Sequence, residues 1–244
     1  MAPTRTLGQM NDYLRRPDKG RLYTHDRQVR LSDAGPDGVL RPDAVARYLQ
    51  DVAADDWAGS GLDQSEKWVV RRTSIRVAAS GRWPELGERV TLATWCAGTG
   101  PAWAERRTDI EADGSVMVQA VALWVLLDAS GRPLRLGQGF HDVYGEAAAG
   151  RRVSGRIGAA PVPDHTKSRP WPIRRADLDV VGHVNNAAVW AAVTEVAIGP
   201  VTQAAVTHHG PVEGDHDLRL ITRPGRLWLV TDAEVVVSAE FELR

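Results

Sequence analysis

The sequence predicts an α+β protein made of two related halves, each a helix backed by antiparallel strands, and three observations carry that reading. First, "SDAGPDGVLRPDAVARYLQDVA" (32–53) and "ADLDVVGHVNNAAVWAAVTEVA" (176–197) align without a gap, so that Asp33 falls on Asp177, Gly38 on Gly182, Val45 on Val189 and Ala53 on Ala197. Second, both copies carry one apolar stripe in the same phase, Val45, Tyr48, Leu49, Val52 and Ala53 in one and Val189, Ala192, Val193, Val196 and Ala197 in the other. That spacing is the signature of a helix with a single buried face. Third, "PELGERVTL" (84–92) and "PVEGDHDLRL" (211–220) share Pro-x-x-Gly, an acidic residue and a strand-like run.

Taken in chain order, residues 1–20 lack the apolar core of a secretory signal and are expected to be loosely ordered. Residues 21–144 form the first half. Its helix begins at Pro42 and Asp43, residue types that suit a first helical turn. Asp113-Gly114 marks a tight hairpin between two long strands. Residues 145–170, rich in Ala, Gly, Arg and Pro without periodicity, read as a linker crossing the surface. Residues 171–244 form the second half, whose helix starts at the cap-forming Asn185 and Asn186. Two sheets joined edge to edge would remove an exposed edge.

Composition excludes several classes of function. A formal net charge of −1 gives no footprint for nucleic acid and no polybasic membrane patch. Only three of the 30 basic residues are Lys, a bias that fits a GC-rich bacterial genome. No apolar run approaches the roughly 20 residues of a membrane span, and the one cysteine, Cys96, lies in a strand-like run and reads as a small buried apolar residue. A cytoplasmic protein is expected. No G-x-S-x-G elbow, phosphate loop or metal-ligand spacing is present.

The segment with chemistry is Asp177-x-Asp179-x-x-Gly182-His183-Val184-Asn185-Asn186, followed by a helix carrying Glu195. It resembles the motif of the hotdog-fold thioesterases, and the doubled copy with the motif in the second half is similar to the acyl-ACP thioesterases of plants and bacteria. The resemblance implies a tandem hotdog, each half a central helix wrapped by an antiparallel sheet. It implies hydrolysis of fatty acyl thioesters of acyl carrier protein or CoA without metal or organic cofactor. It carries the family's catalytic Asp onto Asp179 and its His onto His183. Where plant members have an Asn two residues after the Asp, this chain has Val181. Their strand Glu falls near His208 or His209, and the helix Tyr common in hotdog thioesterases falls on Val189.

Thioester hydrolysis needs a base or nucleophile beside the carbonyl carbon and donors where the oxyanion develops. Asp179 can activate water or attack, His183 can orient the water or return a proton to the thiolate, and Glu195 is a third candidate. Backbone N–H groups around Gly182, His183 and Val184, at the start of a helix, are the expected oxyanion donors. Asp177 and Asn185 suit a structural role, ending a strand and capping the helix. In the first copy Asp179 and His183 are replaced by Gly35 and Val39, while the glycine and the stripe persist. What folding requires is present twice and what hydrolysis requires once, so the first half is expected to be an acyl-chain pocket or a scaffold. Asp51 stands where the second copy has Glu195, which favours a role for that acid in the fold. His208 and His209 read as turn residues, and Trp68, Trp95, Trp103, Trp124 and Trp190 as core. The rival readings are a hotdog hydratase or dehydratase, whose D-x-N-P-x-H or H-F-P patterns are absent, and a non-catalytic acyl-thioester binding module. Acyl-chain length and association of two chains into a homodimer are left open by the sequence.

Overall fold

A computed structural model describes residues 14–158, 160–162, 167–232 and 234–244. The expected loose N-terminus lies, for residues 1–13, outside the described residues. Ten strands form one antiparallel sheet: β1 (Leu22–Gln28), β2 (Lys67–Val77), β3 (Arg89–Thr99), β4 (Trp103–Ala112), β5 (Ser115–Leu127), β6 (Ser168–Pro170), β7 (Val201–His208), β8 (Arg219–Arg223), β9 (Arg226–Val230) and β10 (Val235–Leu243). Their order across the sheet is β1-β3-β4-β5-β2-β7-β10-β9-β8-β6.

This order is the internal repeat made visible. Read outward from the middle, β2-β5-β4-β3-β1 mirrors β7-β10-β9-β8-β6, strand for corresponding strand. The halves join where β2 pairs with β7, Arg72 opposite Thr207 and Ile75 opposite Ala204. Each half thereby covers an edge the other would leave open. Asp113 and Gly114 adopt positive φ (48° and 71°), as a primed hairpin turn between β4 and β5 requires.

α1 (Pro42–Ala58) has Pro at its start and buries Val45, Tyr48, Leu49, Val52 and Ala53, the expected stripe. Its counterpart is shorter: a 3₁₀ turn over Ala188–Trp190 continues into α3 (Ala191–Val196). Here Val189, Ala192 and Val193 are buried, and Gly199-Pro200 follows closely. The two helices lie against one face of the sheet. Val45, Leu49 and Val52 share a single core with Trp190, Val193, Ile75, Val206 and Leu229, so one core spans both halves.

The expected linker needs correction. Residues 145–148 are the last turn of α2 (Gln138–Ala148), which buries Phe140, Tyr144, Ala147 and Ala148. These positions make a helical stripe, but Gly139 and Gly145 interrupt the local propensity and conceal it. α2 packs against Cys96 and Ala104 with Trp57 and Trp68, a second small core beyond the end of α1.

Candidate active site

The motif loop is one of two copies of the same backbone device. Asp33 accepts the Arg30 N–H through Oδ2 at 3.0 Å, and Asp177 accepts the Arg174 N–H at 2.9 Å. The carbonyl of Asp33 accepts from Arg41, and that of Asp177 from Asn185, at 2.9 and 2.7 Å. Between them the chain reverses, with Gly35 N–H donating to Val39 in one copy and Asp179 N–H to His183 in the other, both at 2.8 Å. Gly38 and Gly182 sit at φ +79° and +86°, a left-handed conformation that costs a residue with a Cβ. Asp177 therefore serves the fold, as its twin does.

Onto this device the second copy adds polar side chains. Asp179 Oδ1 accepts backbone N–H groups from Val181 (2.9 Å) and His183 (3.2 Å), which fixes the carboxylate over the loop. His183 Nε2 lies 3.3 Å from Glu213 Oε1, each side chain about two-fifths exposed. Glu213 was not among the residues singled out from the sequence. The repeated Pro-x-x-Gly turn pairs with the motif loop in both copies, Glu85 beside Val39 and Glu213 beside His183, but these acids lie inside the turn, one and two residues after its Pro, and not at the repeated acidic position that follows the Gly.

Other expectations are revised. Gly182 N–H donates to the Asp179 carbonyl (3.1 Å) and Val184 N–H to Val212 (2.8 Å), so neither is a free oxyanion donor. The strand-like closure of the loop uses these groups internally. Asn185 does cap the following turn, its Oδ1 accepting from Ala187 N–H at 2.8 Å. Asn186, by contrast, donates neither its backbone N–H nor its carboxamide to any recorded partner among the described residues. Glu195 is exposed on the outer side of α3 and lines none of the cavities that contain Asp179 or Asn186. Its twin Asp51 forms a surface ion pair with Arg27 at 2.7 Å.

Asp179 opens onto a cavity of about 400 Å³. Asp179, Val180, Asn185 and Asn186 come from the second half, and the depth of the cavity is built by the first, from Ala53 and Trp57 of α1, Trp68 of β2, Cys96 of β3, Ala104 of β4 and Phe140 of α2. The small side chains of α1 and β4 leave the space, and aromatic rings close it, with Trp68 and Phe140 centroids 5.4 Å apart. Cys96 is buried there as expected, and burial raises its thiol pKa. Trp68 and Trp124, expected to be plain core, line this cavity instead. Trp190 is core, 1% exposed.

A second, smaller cavity of about 30 Å³ lies between α1 and the sheet and shares Gln50, Arg106, Trp124 and Asn186 with the first. His208 lines it. The expectation of a turn residue fails because β7 runs through His208, on the face shared by Ala204 and Val206 that packs toward the helices. Burial, then the positive charges of Arg71 and His209, push its imidazole down from 6.5 to about 4. Between those values the unfolded chain binds a proton that the folded chain refuses, so stability falls as pH is lowered from 6.5 to 4. The loss is expected to reach about 3 kcal/mol. Urea unfolding of wild type and His208→Gln at both pH values checks this: the excess loss should vanish in the variant, and equal losses refute it.

A ten-stranded antiparallel sheet holding two short-looped helices on one face is a double hotdog, and the site lies where its halves meet. The comparisons agree. Residues 20–139 match the acyl-ACP thioesterase N-terminal domain. A 12:0-ACP thioesterase from Umbellularia californica has the same fold, with a TM-score of 0.76 over 91% of this chain and 97% of its own, at 20% identity. An acyl-ACP thioesterase from Bacteroides thetaiotaomicron gives a TM-score of 0.72 over 91% and 98%, at 14% identity. An uncharacterized protein of Mycobacterium tuberculosis strain H37Rv is 28% identical over 213 residues, covering 84% of each chain. No helix among the described residues is long and apolar enough to cross a membrane.

Proposed function

We propose that this chain hydrolyses fatty acyl thioesters of acyl carrier protein, with the second half providing the chemistry and the first half holding the acyl chain. The observation that carries the reading is the 400 Å³ cavity, whose mouth is Asp179 with Asn185 and Asn186 and whose apolar depth comes from the other copy of the repeat. Such a division matches the loss of Asp and His from the first copy, at Gly35 and Val39. The match to an acyl-ACP thioesterase domain supports the carrier-protein substrate over CoA.

In this reading the acyl chain enters past Ala53 and Ala54 toward Phe140, which leaves the thioester at Asp179. Asp179 removes a proton from water as the water oxygen bonds to the carbonyl carbon, and the free backbone N–H of Asn186 receives the developing oxyanion. The carbon–sulfur bond breaks with its electron pair on sulfur. His183, whose Nε2 lies 3.3 Å from Glu213, gives a proton to the leaving thiolate at the open side of the loop and regains one through solvent, to which Asp179 releases the proton it took from water. The products are a free fatty acid and the carrier thiol.

Turnover of acyl-ACPs and acyl-CoAs of graded length tests this, with release of free thiol as the signal. The ACP thioesters are expected to give the higher kcat/KM. Ala53→Phe, which adds a ring to the cavity wall, is expected to cut kcat/KM for the longest accepted chain by at least tenfold, about the 1.4 kcal/mol that one lost contact of this size represents. The shortest chains should be little affected. Unchanged chain selectivity in the variant would place the acyl group elsewhere.

A further inference from the structure

The sequence motif contains one imidazole, His183, and the fold buries another. His183 faces Glu213 on the exposed side of the loop and does not line the cavity that Asp179 opens onto. His208 is 6% exposed, and its Nε2 is one of the buried side-chain atoms with no hydrogen-bond partner among the described residues. A buried polar atom without a partner costs about 1–3 kcal/mol, and native structures keep few of them. Trp57, Trp68 and Trp124, which also surround the cavities, leave an indole N–H unpartnered, but an indole can only donate. An imidazole ring nitrogen can accept or donate according to tautomer, which suits it to a small ligand that does both.

The surroundings indicate which ligand. The cavity that His208 lines has a volume of about 30 Å³, enough for a water molecule and too small for any part of an acyl chain beyond a methylene. Its other polar walls are Thr73, Thr108, Arg106, Gln50 and Asn186. Gln50, Arg106 and Asn186 also wall the large cavity, so the small one adjoins the point where the thioester would lie.

Resting on the thioester reading, we propose that His208 is a positioning residue for hydrolysis: with the carboxamide of Asn186, which walls both cavities, it holds the attacking water where the small cavity meets the large one that Asp179 lines. The ring stays neutral through the physiological range, since burial keeps the proton off it, so it orients the water without competing with Asp179 for the proton. The bond-making and proton transfer are those of the hydrolysis already described, and His208 neither gains nor loses a proton in the cycle.

His208→Leu removes the ring nitrogen at similar volume. It is expected to lower kcat on a preferred acyl thioester by about 10²-fold with KM unchanged, the scale of a misplaced reactant. His208→Gln, which restores a polar atom, should recover at least tenfold of that loss; a merely structural histidine would show no such rescue. Wild-type kcat in His208→Leu overturns the proposal. If the Leu variant does not fold, the wild type still decides the question through the ring ¹⁵N resonances of His208. These should shift when a non-hydrolysable alkyl thioether of pantetheine binds, and an unmoved Nε2 signal overturns the proposal. Absence of turnover by wild type on every acyl thioester would instead sink the thioester reading itself.

Discussion

Asp179→Asn is expected to lower kcat by about 10³-fold on every acyl thioester, within the range that removal of a general base produces. The variant separates chemistry from folding. An Asn side-chain oxygen can still accept the Val181 and His183 N–H groups that Asp179 Oδ1 accepts at 2.9 and 3.2 Å, so the loop should keep its shape. Thermal unfolding should therefore move little, whereas Asp179→Ala should lose about 1 kcal/mol for each of those bonds as well as activity. In the first copy Gly35 occupies that position and Asp37 takes over the acceptor role, its Oδ1 receiving the Val39 N–H at 3.2 Å, so the turn in both copies keeps a side-chain oxygen that an Asn at 179 would still supply. Undiminished hydrolysis by the Asn variant would remove Asp179 from the mechanism.

The largest effect on stability is expected at Asp56, near the end of α1. Its side chain is fully buried and accepts Arg21 Nε at 2.6 Å, Arg106 Nη1 at 2.7 Å and the Tyr144 hydroxyl at 3.1 Å. This carboxylate ties together β4, α1 and α2, three of the elements that line the large cavity. Asp56→Ala would leave the Arg106 guanidinium buried, its side chain 13% exposed, with its counter-charge gone. The expected cost is about 3–5 kcal/mol, a fall in Tm of roughly 10 °C for a chain of this size. Calorimetry of the variant checks it, and a Tm within 2 °C of wild type, read with the same size relation, would show that solvent reaches the network.

The two helices, the Pro-x-x-Gly turns and the Asp113-Gly114 hairpin were legible because each rests on local chemistry: a stripe that needs one buried face, a proline that suits a first turn, a glycine that tolerates positive φ. The repeat added something that single residues could not. Comparing the copies separated Asp177, which has a twin at Asp33 with the same hydrogen bond, from Asp179, which has none. α2 escaped because its two glycines weaken a stripe that only Cys96, Ala104 and Trp68 make worth burying.

The chain order of residues thus sufficed for the doubled α+β architecture, the turn on which the motif is built and the additions made to its second copy, because all of these follow from spacing within a few turns of chain. The free donor at the site, the partner of His183 and the lining of the cavities did not follow. Whether Val184 N–H is available depends on Val212, whether His183 has a carboxylate beside it depends on Glu213, and whether His208 is a turn residue or a buried imidazole depends on β7 running on beside β10. Those are pairings between segments distant in sequence, and each is set only when the two halves close on each other and exclude water from the space between them.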